Sequence, residues 1–133
     1  QLFQTLEDAE LDKLHQVIVS TFASIPHNNY TKNTISTYEG YYASVVYAFL
    51  ASLGLDLKVE DPTSTGRIDM SIKVGNLIYI LEFKVDGNGD ALAQIKHKQY
   101  HLKYSDQGRD IYLIGIDFDS GTRNIAGFEW EKV

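Results

Sequence analysis

Cysteine is absent from all 133 residues. That excludes disulfides, thiolate metal sites and cysteine nucleophiles, and it is compatible with a reducing cytoplasm, the location expected here. No apolar run approaches the roughly 18 residues of a spanning helix, so no membrane insertion is expected. Basic side chains are in the minority, 12 against 18 acidic, for a formal net charge of -6. Such a balance argues against binding nucleic acid by global charge alone. Walker A and GxSxG sequences are missing. His97 and His101 lie one turn apart without a HExxH glutamate. "DGNGDA" begins like an EF-hand loop, but Ala91 and His97 stand where that loop needs Gly and a bidentate Glu. A starting methionine is also lacking, and Gln1 leads us to expect a fragment or processed form of a longer chain.

What is present, 44% apolar and 23% charged residues, suits one globular domain with a real core. "TLEDAELDKLHQVIVSTFASIP" repeats Leu11, Leu14, Val17, Ile18 and Phe22 at helical spacing, with Thr5 as a plausible cap and Pro26 as a stop. "HNNYTKNTIS" reads as a loop. A second helix is expected from about Tyr38 to Leu53, with Tyr42, Val45, Val46, Phe49, Leu50 and Leu53 on one face and Gly54 at its end. "LDLKVED" reads as a strand closed by "PTSTG". "RIDMSIKV" and "LIYILEFKV" form a hairpin around Gly75 and Asn76. A helix from about Asp90 to Tyr104, a buried strand "DIYLIGIDFD" and an edge strand in "NIAGFEWEKV" complete the chain. The order α-α-β-β-β-α-β, with a possible extra edge strand, predicts a mixed sheet flanked by helices and one parallel crossover.

The hairpin raises the chemical question. If Val74 pairs with Leu77, Asp69 falls across from Glu82 and Arg67 across from Lys84. Alternation puts Ile68, Met70, Ile72, Val74, Leu77, Tyr79, Leu81, Phe83 and Val85 on one apolar face, and Asp69, Glu82 and Lys84 on the other. Two carboxylates about 5 Å apart repel by roughly 3 kcal/mol at an effective dielectric near 20. Something positive is therefore expected between them. Lys84 alone, within a salt-bridged polar patch, is one answer. A divalent cation held by hard oxygen ligands is the other.

Asp69 on one strand followed by Glu-x-Lys on the next, here "EFK" at Glu82 to Lys84, resembles the PD-(D/E)xK nuclease superfamily. More closely, "YEGYYASVVYAFLASLGL", "GRIDM", "IYILEFK", "ALAQIKHKQY" and "IYLIGIDFD" look like a nuclease-like domain found downstream of an AAA-ATPase-like domain in bacterial proteins. The resemblance implies a restriction-endonuclease-like α/β fold with a core at 38–119 and an N-terminal helical extension at 1–37. It makes Asp69, Glu82 and the Phe83 carbonyl ligands of Mg²⁺ or Mn²⁺, and gives Lys84 the task of orienting or deprotonating the attacking water. Lysine acts as a base only after losing its proton, so electrostatic positioning is favoured.

Glu39 matches a glutamate that many relatives contribute to the metal site, although "STYE" is equally a capping box joining Ser36 and Glu39. Gln94 matches a glutamine on the following helix. Two positions depart from the pattern. Ile68 replaces the proline before the aspartate, and Lys98 stands where some relatives place tyrosine. The nearest tyrosine, Tyr100, falls on a different side of a regular helix from Gln94.

"QIKHKQYHLKY" holds Lys96, Lys98 and Lys103 without an acid, either a solvated helix face or a local phosphate-contacting surface that Tyr100 would join. Asp117 and Asp119 read as a strand end and turn. The implied function is metal-dependent hydrolysis of nucleic acid, with DNA favoured over RNA and an upstream ATPase-like domain as partner. The alternative is an inactive nuclease-fold module that binds nucleic acid or protein.

Overall fold

The computed structural model describes residues 2–26, 39–87 and 90–133. The expected loop at 27–36, the Ser36 half of the capping box, the helix start at Tyr38, and Asn88 and Gly89 of "DGNG" fall outside those residues. Helices α1 (Leu2–Glu7), α2 (Leu11–Ala23) and α3 (Glu39–Ala51) precede strands β1 (Asp56–Thr63), β2 (Gly66–Val74) and β3 (Leu77–Val85). Then come α4 (Ala91–Lys98), a 3₁₀ helix (Tyr100–Tyr104), β4 (Asp110–Asp119) and β5 (Asn124–Lys132). The single sheet has the order β1-β2-β3-β4-β5. Only β3 and β4 run parallel, joined by the α4 crossover; the other neighbours are antiparallel. This is a mixed sheet flanked by helices. Among the described residues no helix is long and apolar enough to cross a membrane.

Each element buries the stripe its spacing dictates. In α2, Leu11, Leu14, Ile18 and Phe22 face the sheet; in α3, Tyr42, Val46 and Leu50 do. Leu53 lies beyond α3 and is exposed. β3 is buried on both faces from Leu77 to Phe83, as a central strand covered on each side must be. One core layer joins α1, α2 and α3 to Met70, Ile72, Tyr79, Leu81 and Phe83. Within it Tyr42 stacks on Phe118 at 4.4 Å between ring centres. The opposite layer joins α4 and the 3₁₀ helix to Ile78, Ile80, Ile111 and Leu113.

Four expectations need correction. The first helix is two, broken where Ala9 takes a left-handed φ of 54°, and Thr5 lies buried inside α1 rather than at a helix start. The helix expected through Tyr104 stops at Lys98, because Gln99 is left-handed at φ 53° and the chain tightens into 3₁₀. Asp90 occupies the N-cap position of α4 without a side-chain capping bond. Finally, Ile68 does not share a face with Met70 and Ile72; it packs in the opposite layer with Ile78 and Ile95. The β1–β2 ladder skips one step there, between Val59↔Met70 and Asp61↔Ile68, where Glu60 takes φ 48°. A left-handed residue in a strand locally twists it, and the strict alternation of side chains fails beside it.

Candidate active site

The Gly75–Asn76 turn sets Val74 opposite Leu77, and the β2–β3 ladder runs outward to Met70↔Leu81. There it stops. Arg67 pairs instead with Pro62 on β1, and its guanidinium meets Glu60 at 3.2 Å, so it does not sit across from Lys84. Where the next rung would form, the Asp69 carboxylate accepts a hydrogen bond of 2.8 Å from the Phe83 amide. A strand residue's N–H and C=O point to the same side. The Phe83 carbonyl therefore faces the same gap between β2 and β3.

Glu82, 3% exposed, borders that gap from the middle of the sheet. Its Oε2 accepts a 2.7 Å hydrogen bond from Gln94 Nε2 on α4, while Oε1 is buried without a partner among the described residues. The strand partner of Glu82 on β4 is Gly115. A Cβ on Gly115 would lie 2.2 Å from the Leu92 amide nitrogen, so only glycine lets the first turn of α4 rest on the sheet at this point. That close approach delivers Gln94 to Glu82.

The electrostatics follow from burial. Desolvation, then the Asp69 charge, push the Glu82 carboxyl up to about 8, with Lys84 opposing. Asp69 is also raised by burial, against the Phe83 amide, a hydrogen bond with Glu82 and the Lys84 charge. Burial thus favours the protonated form of Glu82 at neutral pH. Glu39, first residue of α3, is raised by desolvation and then by Asp69, with Lys84 acting the other way. Lys84 is half-buried on β3 and makes no ion pair within 4 Å among the described residues. Asp69, Glu82, Lys84, Glu39 and Gln94 are therefore one electrostatic neighbourhood.

The family model described as the PD-(D/E)XK nuclease superfamily matches residues 37–128, which contain all five of these residues. The chain belongs to the PD-(D/E)XK nuclease superfamily. It is also 43% identical, over its whole length, to an uncharacterized protein in the vnfD 5′ region of Azotobacter chroococcum mcd 1. The chain spans 26% of that curated relative. No solved structure matches.

PD-(D/E)XK nucleases generally use divalent metals. Among the described residues no three His, Cys, Asp or Glu side chains form a ready-made ligand shell. The site offers two hard carboxylates, one with an orphaned buried oxygen, and a carbonyl facing the same gap. This donor set fits a cation that keeps several of its waters, as Mg²⁺ does.

Tyr100 is nearer to the carboxylates than a regular helix would put it. The left-handed turn at Gln99 swings it back, and the phenol is raised by burial, then by Glu82 and Asp69, while Gln94 opposes. A Cβ on Gly66 would meet its hydroxyl at 2.9 Å, so Tyr100 lies against the start of β2. It is 3% exposed and offers no open ring face.

The lysines disperse. Lys96 pairs with Glu131 at 3.1 Å on β5, and Lys103 pairs with buried Asp61 and donates to the Pro62 carbonyl at 2.8 Å. Lys98 has no ion pair among the described residues and lines a cleft of about 450 Å³ with Ser64 and Thr65.

Asp117 and Asp119, both expected at a strand end and turn, differ in place. Asp119 is indeed a turn residue, accepting the Thr122 amide at 2.9 Å. Asp117 is instead 5% exposed beside Lys84, its strand partner on β3, with Oδ1 unpartnered among the described residues. Burial raises it, as do Glu129 and Asp90, while the Ala91 amide and Lys84 lower it. The available signal was the parallel register, which couples residue 84 to 117 once α4 is read as a crossover.

Proposed function

We propose that this protein is a metal-dependent nuclease that hydrolyses phosphodiester bonds of DNA in the cytoplasm. The observation that carries the reading is the pair of half-buried Asp69 and buried Glu82, both raised by burial and Glu82 further by the Asp69 charge, at the point where the β2–β3 ladder opens. A fold with no charge to bind there would gain nothing from two desolvated carboxylates.

In this reading Asp69, Glu82 and the Phe83 carbonyl hold Mg²⁺ or Mn²⁺, with Glu39 able to reach it through water. When bound, the cation polarises the phosphate and supplies an activated water. The Phe83 amide fixes one oxygen of Asp69 and leaves the other for the ligand role. Gln94 does the same for Glu82, turning Oε1 toward the gap. Lys84, unpaired within 4 Å among the described residues, adds positive charge where the transition state gains negative charge. Tyr100 limits the water around Glu82. Lys98 contributes a phosphate contact beyond the cleavage point, where Lys96 and Lys103 are committed to acidic partners. The size of the curated relative leaves ample room for the ATPase-like domain we place upstream.

The test is incubation of the purified protein with plasmid and single-stranded DNA plus Mg²⁺ or Mn²⁺. Cutting that needs the metal and falls at least a hundredfold in both Asp69→Ala and Lys84→Ala is the expected result. Binding of DNA without any cutting would replace the enzyme by a docking module on the same fold.

A further inference from the structure

A groove of about 470 Å³ runs between α3 and the β1–β2 ribbon and opens onto Asp69. Its helical wall is one stripe of α3, through Gly40, Ala43, Ser44 and Tyr47, residues three and four apart. The first three are small, and a Cβ on Gly40 would meet nothing within 4 Å. Tyr47 stands about 12 Å along the helix from Glu39. Across from it on β1 is Val59. These two are exposed by 41% and 48%, and neither packs into the core.

The charge of the groove is as informative as its shape. Among the described residues its charged lining is Glu39, Glu60 and Asp69, all acidic. Among the described residues, Arg67 beside it is paired with Glu60, and Lys84 acts on Glu39 and Asp69 only at the end that opens onto the carboxylates. A phosphate backbone is therefore repelled from this groove, whereas a flat neutral group is not. Tyr47 and Val59 give such a group an aromatic face and an aliphatic floor.

We propose that this groove binds an unpaired nucleobase next to the scissile phosphate, with Tyr47 as the stacking platform. The inference rests on the nuclease reading, which fixes the phosphate at Asp69 and Glu82 and so makes the groove the place of the adjoining nucleoside. A base stacked inside a duplex cannot enter it. The substrate class is accordingly single-stranded DNA, or a frayed or flap end, in preference to intact duplex. Base stacking on an aromatic side chain tolerates any base, so no sequence preference arises here.

The test is fluorescence anisotropy of labelled single-stranded oligonucleotides, each with an abasic position moved along the strand, in Lys84→Ala protein with Mn²⁺ to hold the strand uncut. One position should weaken binding about tenfold when its base is removed. That penalty should disappear in Tyr47→Ala, persist in Tyr47→Phe, and disappear in Ser44→Leu, which fills the groove while keeping the aromatic ring. A penalty unchanged by Tyr47→Ala, or intact duplex bound as tightly as single strand, would overturn the groove assignment and leave the nuclease reading standing. Failure of the wild-type protein to bind or cut any oligonucleotide would overturn both.

Discussion

Glu82 has one carboxylate oxygen tied to Gln94 and the other buried with no partner among the described residues. Its folded-state proton affinity is raised, so between about 4.5, the ordinary glutamate value, and about 8 the folded chain holds a proton that the unfolded chain has released. Stability therefore falls as pH rises through that window, in the absence of metal. Glu82→Gln removes the titration. In metal-free buffer the variant should melt higher than wild type at pH 8, by roughly 3 °C or more, and the difference should vanish near pH 4. Parallel melting curves for the two proteins across this range would show that the pair is not under strain. The hydrogen bond that Asp69 draws from Phe83 in place of a rung was not legible in the sequence. Counting a hairpin assumes every rung forms, and a carboxylate that substitutes for one changes only the geometry.

The α4 segment shows what local sequence could and could not convey. Asp90 as an N-cap candidate made a helix readable, as did Gly75 and Asn76 for the hairpin, because both signals depend on near neighbours. The left-handed break at Gln99 has no such signature, and it is what brings Tyr100 back to Gln94 and the carboxylates. The 3₁₀ turn that follows is anchored at a distance, where Tyr104 and Lys103 both bond to buried Asp61 on β1. Gly115 is equally silent in sequence. In Gly115→Ala the new Cβ would strike the Leu92 nitrogen and Cα and the Ala91 carbonyl carbon, all backbone, at 2.2 to 2.9 Å. The helix must lift, at a cost of about 1–3 kcal/mol in urea denaturation, and Gln94 must release Glu82. Loss of cleavage beyond that explained by unfolding is expected; an unchanged denaturation midpoint would remove the seat we assign to α4.

Viewed whole, the molecule buries its central strands β3 and β4 under helices on both faces and exposes β1 and β5 as edges. The candidate site residues come from four elements, β2, β3, α3 and α4, which meet where the β2–β3 ladder ends at Asp69. On the proposed function, the net charge of -6 would make the metal more than a catalyst, since phosphate would approach two carboxylates through it. The most direct measurement is calorimetric titration of Mn²⁺ at pH 7 in two buffers of different protonation enthalpy, on wild type and Glu82→Gln. Binding that releases about one proton and weakens at least tenfold in the variant is the predicted result. Equal affinity in the two proteins, or binding without proton release, would contradict it.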